Sequence, residues 1–284
     1  MISATTRIAA VIGDPVRHSL SPRLHNAAYN ALGLDWVLVA FEVAEGHAAA
    51  AIDAARALDL VGYAVTMPHK TAIAALCDEL SPDAAALRSV NTVTVLPDGR
   101  VAGDSTDGAG FLRSLADADV DPGGRSVLLL GAGGAARAVA RSLGGAGARV
   151  AVAARNPAAA EATAVLAGGT AVAWSDRDAV AATSAIIVNA TPLGMAAHAD
   201  GAGGSADPVL FDEGVLGPQH AVVDLVYHPI VTPLLRAATE AGAVTISGLG
   251  MLVHQAALQV ERWSTQPAPL AEMRAAVTAE IDTR

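Results

Sequence analysis

Cysteine is almost absent. The single thiol, Cys77, has no partner for an internal disulfide and rules out a zinc site built on several cysteines. Aromatic residues make up 3% of the chain against 52% for apolar residues as a whole, so small side chains must fill the core. No apolar run approaches the roughly 18–20 residues that span a bilayer. Met1–Arg7 lacks the apolar stretch of a secretion signal and leads straight into a strand-like segment. These absences point to a cytoplasmic protein in a reducing compartment, without a membrane partner. Cations are scarce too. Lys and Arg number 18 against 28 Asp and Glu, a net charge of −10 with no dense basic stripe. That balance opposes nucleic-acid binding, which needs positive potential to displace counterions. A small anion can still bind where cations and helix N-termini gather.

What is present is alternation. Short β-branched runs follow one another with Ala- and Leu-rich helical stretches between them, the pattern of an α/β fold with largely parallel sheets. A first series of expected strands covers Arg7–Ile12, Trp36–Glu42, Gly62–Thr66 and Asn91–Leu96, with helices at Pro22–Leu32, Ala48–Leu58 and His69–Leu76. A second series comprises Ser126–Leu130, Arg149–Ala154, Ala185–Asn189, Ala221–Asp224 and Val244–Ser247. Asp107–Ala118 reads as a helix at the join, Gly201–Pro208 as a Gly/Ala/Ser-rich loop, and Met251–Trp263 and Ala268–Asp282 as terminal helices. Cys77 reads as a core position in an apolar helix, and His47 and His220 as surface positions.

Ser126–Leu130 runs into Gly131-Ala132-Gly133-Gly134-Ala135-Ala136, a G-x-G-x-x-A match in the strand–turn–helix setting that a dinucleotide site requires. Gly131 permits the tight turn, Gly133 admits the pyrophosphate to the backbone, and Ala136 lets helix approach strand. The helix then aims its first N–H groups at the phosphates. An NAD enzyme usually carries an acid at the end of the next strand for the ribose 2′-hydroxyl. Here Arg149–Ala154 is followed by Arg155-Asn156. Arg155 suits a 2′-phosphate, which it can grip through two parallel hydrogen bonds. The competing reading is a solvated arginine beside an Asn156 that caps the helix beginning at Pro157. The missing acid favours NADP.

Polar clusters also stand at strand ends of the first series. They are Gly13–Asn26, containing Ser19 and Ser21; Val65-Thr66-Met67-Pro68-His69-Lys70; Val90-Asn91-Thr92; and Gly103–Gly108, containing Asp107. Singly each has a plain structural explanation: Ser21 and Asp107 as helix caps, Lys70 as a surface residue, His18 and His25 as hydrogen-bonding scaffolding. Together with Asn189–Met195, Asp224–Pro229, Thr232–Leu235 and Gly248–Gln255, in this order, the set resembles the shikimate dehydrogenase family nearly from end to end. The resemblance implies an N-terminal α/β substrate domain over 1–106, completed by helices in 251–284, and a Rossmann NADP-binding domain over 107–250. It implies an NADP-dependent enzyme, monomer or homodimer, that reduces 3-dehydroshikimate to shikimate in aromatic amino-acid biosynthesis. Ser19 and Ser21 would hold the substrate carboxylate. Thr66, Asn91, Asp107 and Gln255 would bind its ring oxygens, with Tyr227 nearby. Thr191, Gly248 and Met251 would join Gly131–Ala135, Arg155 and Asn156 at the cofactor. The chain departs from the family pattern at Ala64, Ser89 and Ser105, where Asn, Ala and Asn are usual; none of these is a proposed catalytic group.

Ketone reduction needs a hydride on carbon and a proton on oxygen. One cysteine and scattered histidines offer no metal-ligand cluster, so a side chain must supply the proton. Lys70 suits the role, because a lysine ammonium carries its proton at neutral pH. Oxidation would use neutral lysine as base and so favour alkaline pH. Asp107 would hold that ammonium in position. Two alternatives remain open: a quinate or aminoshikimate dehydrogenase of the same family, and a non-catalytic NADP-binding regulator. Ser rather than Thr at position 21 argues against the quinate enzymes. Retention of both Lys70 and Asp107 argues against the regulator.

Overall fold

A computed structural model describes residues 2–195, 210–212 and 214–281; the expected Gly201–Pro208 loop lies outside them. The chain divides into two compact units, Met1–Thr106 with Val253–Arg284, and Asp107–Leu252.

The first unit begins with β1 (Arg7–Gly13), α1 (Ser21–Ala31), β2 (Trp36–Glu42), α2 (Ala48–Ala57) and β3 (Gly62–Val65). It continues with α3 (Lys70–Ala74), β4 (Glu79–Leu80), α4 (Pro82–Leu87), β5 (Thr92–Val95) and β6 (Val101–Asp104). Its sheet has the order β2-β1-β3-β5-β6-β4. β1 runs parallel to β2 and β3, and β4 to β6, whereas β5 is antiparallel to both neighbours. The turn Pro97–Arg100 explains the hairpin: it is too short for the crossover that a parallel pair needs. One face of the sheet, through Ala10, Ile12, Tyr63, Val65 and Val93, packs on the apolar stripe of α2 (Ala48, Ala51, Ile52, Ala55) and on Ile73.

The second unit holds α5 (Asp107–Ala116), β7 (Ser126–Leu130), α6 (Gly134–Gly145), β8 (Arg149–Ala153) and α7 (Pro157–Ala167). Then come β9 (Thr170–Val172), α8 (Arg177–Thr183), β10 (Ile186–Asn189), β11 (Ala221–Asp224), α9 (Pro233–Glu240) and β12 (Val244–Ser247). The strands form one parallel sheet, β12-β11-β10-β7-β8-β9. β7 shows why these apolar runs become buried strands. Val127 and Leu129 enter one core layer while Leu128 and Leu130 enter the other, so helices on both faces are served by the two-residue period. α10 (Gly248–Ser264) and α11 (Leu270–Ile281) end the chain, and α11 packs on α1.

Three expectations are corrected. Cys77 is not helical, because α3 ends at Ala74. Its thiol is half-buried against the first core, and burial pushes its pKa up to about 11. His220 is 2% exposed rather than a surface residue, with Nδ1 accepting from Gly217 N at 3.0 Å. Ser21 is the first residue of α1 and not its cap; Leu20 occupies that position without a side-chain bond.

His25 is fully buried between the rings of Tyr29 and Trp263. Burial lowers its pKa from 6.5 to about 4, against smaller opposing effects of the Ser21 carbonyl and Gln259. The folded state therefore refuses a proton that the unfolded chain accepts. Stability is unaffected above pH 6.5 and is lost as pH falls from there toward 4. Urea unfolding should show wild type losing roughly 3 kcal/mol more than His25→Phe between pH 7 and pH 4. Identical pH dependence in the two proteins would refute this.

Candidate active site

In the first unit the expected substrate residues gather where β1 and β3 end side by side, with Ile12 opposite Val65. The loop after β1 carries Ser19 and Ser21; the turn after β3 carries Thr66 and Lys70. The two are sewn together by Thr66 N donating to Ile12 O (3.0 Å) and Asp14 N to Met67 O (3.0 Å). Ser19 Oγ accepts from Ser21 N at 3.2 Å, which fixes the two serines relative to each other. Behind the turn, buried His69 places Nε2 2.6 Å from Val43 O. Lys70 opens α3, and its carbonyl accepts from Val90 N at 3.0 Å.

Asn91 meets this edge from the antiparallel strand. Its carbonyl accepts from Val65 N at 2.7 Å, and its N–H donates to Asp104 O at 3.0 Å. Its buried carboxamide donates to Thr106 Oγ1 (2.9 Å) and accepts from Thr106 N (2.8 Å) and Thr92 Oγ1 (2.8 Å). Thr106 Oγ1 in turn donates to the carbonyl of Gln255 on α10 at 3.0 Å. Ser19, Ser21, Thr66, Lys70, Asn91 and Gln255 thus belong to one unit and one set of linked segments. Asp107 opens the second unit directly after Thr106, 9% exposed in the first turn of α5, where the helix N-terminus favours a carboxylate.

The second unit carries the glycine turn at the end of β7. Gly131 has φ +109°, and a Cβ there would meet Ala190 O at 2.8 Å, so both conformation and space demand glycine. A Cβ at Gly133 or Gly134 would meet nothing within 4 Å, which leaves the entry to α6 open to a ligand. Gly133 caps α6 with no side-chain bond, so no side chain competes for its first N–H groups. This backbone fits a dinucleotide pyrophosphate. Ala132 and Ala135 flank the glycines in the same turn. Arg155 is exposed just past β8, with no acid at that strand end. Asn156 caps α7, accepting from Ala159 N at 3.3 Å, with Pro157 at the helix start.

Thr191 and Tyr227 follow β10 and β11. Both loops depend on a polar knot to which sequence reasoning assigns no role, although its members fall within the motifs. Asp224 is fully buried and accepts from Asn189 Nδ2 (2.9 Å), Val226 N (3.1 Å) and Thr232 Oγ1 (2.6 Å). Asn189 Oδ1 accepts from Thr191 N (3.0 Å) and Thr191 Oγ1 (2.6 Å). Burial raises the Asp224 pKa, with the three donors working against it. The signal for this knot is an acid at the end of an otherwise apolar strand, a residue that must find partners wherever it is buried. Gly248 abuts the same loop, since a Cβ there would meet Leu225 O at 2.2 Å. Met251 is buried in the core of this unit.

Residues 11–93 match the family model for the shikimate dehydrogenase substrate binding domain, and residues 248–278 that for the shikimate 5'-dehydrogenase C-terminal domain. Residues 126–210 match the model described as NADP oxidoreductase coenzyme F420-dependent. A shikimate dehydrogenase (NADP(+)) of Methanopyrus kandleri is 40% identical over 295 residues, covering 99% of this chain and 98% of the relative. The chain belongs to the shikimate dehydrogenase family. A solved shikimate 5-dehydrogenase from Thermus thermophilus, in complex with NADP(H) and shikimate, is 35% identical with a TM-score of 0.84, covering 96% of this chain and 99% of that one. A quinate dehydrogenase from Corynebacterium glutamicum, in complex with NAD, is 30% identical with a TM-score of 0.88 over 96% and 99%. Of the departures from the family pattern, Ala64 is buried in β3 opposite Thr92, and Ser105 N donates to Asp104 Oδ1 at 2.8 Å.

Removing a donor from the Asp224 knot leaves a buried carboxylate oxygen unsatisfied. Thr232→Val should therefore cost about 1.5–3 kcal/mol or more in urea unfolding at pH 7, the range for a hydrogen bond to a charged group, since it also removes the cap that Thr232 Oγ1 gives α9. A loss below about 0.5 kcal/mol, the scatter of ordinary surface changes, would show that the knot is not needed.

Proposed function

We propose that this protein is an NADP-dependent shikimate dehydrogenase, reducing the ketone of 3-dehydroshikimate to the hydroxyl of shikimate. Substrate binding falls to 1–106 with the terminal helices, and NADP binding to 107–250. The observation that carries the reading is the gathering of Ser19, Ser21, Thr66, Lys70 and Asn91 on loops at one end of the central strands β1, β3 and β5. The residues around Gly131 suit a pyrophosphate, and when bound there NADPH supplies the hydride. Lys70 gives its ammonium proton to the ketone oxygen, so the carbonyl becomes an alcohol and the lysine becomes neutral until solvent reprotonates it. Asp107 holds the ammonium and a substrate hydroxyl. Ser19 and Ser21 bind the substrate carboxylate through their hydroxyls, while Thr66, Asn91 and Gln255 bind ring oxygens, with Tyr227 also among the substrate-binding residues. Arg155 receives the 2′-phosphate of the cofactor, Asn156 and Thr191 also bind the cofactor, and Gly248 and Met251 border its nicotinamide. Capping by Asn156 does not oppose this, since a capping side chain keeps further hydrogen-bonding capacity. The same reading has the protein acting in the cytoplasm as a monomer or homodimer. Among the described residues, no helix is long and apolar enough to cross a membrane.

The assay is absorbance at the reduced-nicotinamide band with shikimate and NADP⁺, run beside arms with NAD⁺ and with quinate. Rapid turnover is expected only with shikimate and NADP⁺, and turnover mainly with quinate or NAD⁺ would move the protein to a sister activity. In the active arm Lys70→Ala should lower kcat by about 10²–10⁴, the usual contribution of a positioned acid or base. Near-normal turnover by that variant would remove Lys70 from the chemistry. Arg155→Ala should raise the KM for NADP⁺ by about tenfold or more while leaving that for NAD⁺ nearly unchanged, because only NADP⁺ carries the 2′-phosphate. An equal effect on both would return Arg155 to an ordinary surface residue.

A further inference from the structure

β2 is the outer strand of the first sheet, with β1 on one side of it and no strand on the other. Its odd-numbered positions turn their backbone toward β1: Arg7 N donates to Asp35 O at 2.9 Å, and Val43 N to Gly13 O at 3.0 Å. Leu38 therefore points its N–H and C=O away from the sheet. The residue is 1% exposed, so water does not serve these groups either. Asn26 of α1 does. Its Oδ1 accepts from Leu38 N at 2.7 Å, and its Nδ2 donates to Leu38 O at 2.9 Å. A carboxamide offers a donor and an acceptor side by side, as a peptide group does, so Asn26 pairs with β2 as a further strand would. Apolar burial along α1, by Leu24, Ala28 and Tyr29, is non-directional. The amide pair is directional at two atoms, and it fixes the helix along its own axis.

We propose that Asn26 is a positioning residue for substrate binding: by pinning α1 to β2 it sets the place of Ser21 relative to Thr66. The proposal rests on the reading of Ser21 and Thr66 as substrate ligands. Ser21 opens α1 five positions before Asn26, a rise of about 7.5 Å along one helix. Leu38, on the other side of the pair, is in register with Ala9 of β1. From there β1 runs on to Ile12, whose carbonyl accepts from Thr66 N at 3.0 Å. Ser19 moves with Ser21, because its hydroxyl accepts from Ser21 N at 3.2 Å. Groups that grip opposite parts of one rigid ring must keep a fixed separation, and a shift of one weakens binding. Lys70 stands on α3, outside this link, so proton transfer is spared.

The test is steady-state kinetics on the whole protein with shikimate and NADP⁺, for wild type, Asn26→Leu and Asn26→Asp. Asn26→Leu removes both bonds. Asn26→Asp keeps the shape and still accepts from Leu38 N, but it sets a second acceptor against Leu38 O. Each should raise the KM for shikimate by about tenfold, with kcat within about threefold and the KM for NADP⁺ within about twofold of wild type, the signature of lost ground-state substrate binding. In a Ser21→Ala background, itself raised in shikimate KM, Asn26→Leu should add less than about threefold, because the hydroxyl it positions is already gone. A shikimate KM within about twofold of wild type in both single variants would overturn the proposal. So would an equal rise in the two KM values, which reports general loosening, or an undiminished effect of Asn26→Leu on Ser21→Ala, which separates Asn26 from Ser21. If neither variant folds, the pair is structural and the proposal fails as well; if one folds, it decides. A Ser21→Ala protein with unchanged shikimate KM, or a wild type without turnover, would instead remove the reading of the site on which the proposal stands.

Discussion

Asn91 is buried, so its carboxamide and both of its backbone groups must find partners inside the protein. The first unit is arranged around the way they do. Its carbonyl holds the end of β3 and the side chain of Gln259, its N–H holds β6, and its carboxamide holds Thr106 at the point where the first unit passes into the second. Loops at strand ends have few partners of their own and tend to be mobile. Here the end of β3 and the start of α3 gain an anchor in Val90-Asn91, and so Thr66 and Lys70 are presented from a fixed base. Truncating the side chain would take from Thr92 and Thr106 their shared partner, while the backbone bonds to β3 and β6 would stay.

The second unit solves the same problem with a charge. Asp224 gathers donors from β10, from its own loop and from the start of α9. A carboxylate in an apolar sheet is costly unless its oxygens are satisfied, and here three donors drawn from separate segments satisfy them. The glycine turn after β7 lies at the same end of the same parallel sheet, where α/β folds commonly bind ligands.

Most of this architecture is legible in the sequence because periodicity is legible. The strands of the second unit alternate between two core layers, and their continuous apolar runs stand out in a chain with few aromatics. The helix opening at Pro157 is equally plain, since proline and a capping Asn mark it chemically. β4, β6 and β9 leave no such trace, because runs of two to four residues carry no usable period, whereas α4 bears the same mark in Ser81 and Pro82 but is too short to show a period. His220 misleads for a related reason. It stands one residue before a buried strand, and its bond to Gly217 is a turn contact that composition does not reveal. Of the candidate site, the residue types are visible as polar clusters. Their linkage is not, since hydrogen bonds such as those from Gln259 to Asn91 join positions far apart in sequence.

The scarcity of aromatics has its counterpart in how closely main chains approach one another. At Gly108, Gly144 and Gly169 a single added carbon would meet a backbone oxygen at 2.7, 2.4 and 2.2 Å. Here the backbone is itself the packing surface, and no rotamer can move aside to make room. Such a core is one-sided in what it tolerates over evolutionary time. Its large residues can shrink one at a time at a graded cost, but its smallest cannot grow unless a whole helix shifts with them. Diversity among descendants of this chain should therefore accumulate at solvent-facing and loop positions, while these inter-element glycines stay as they are.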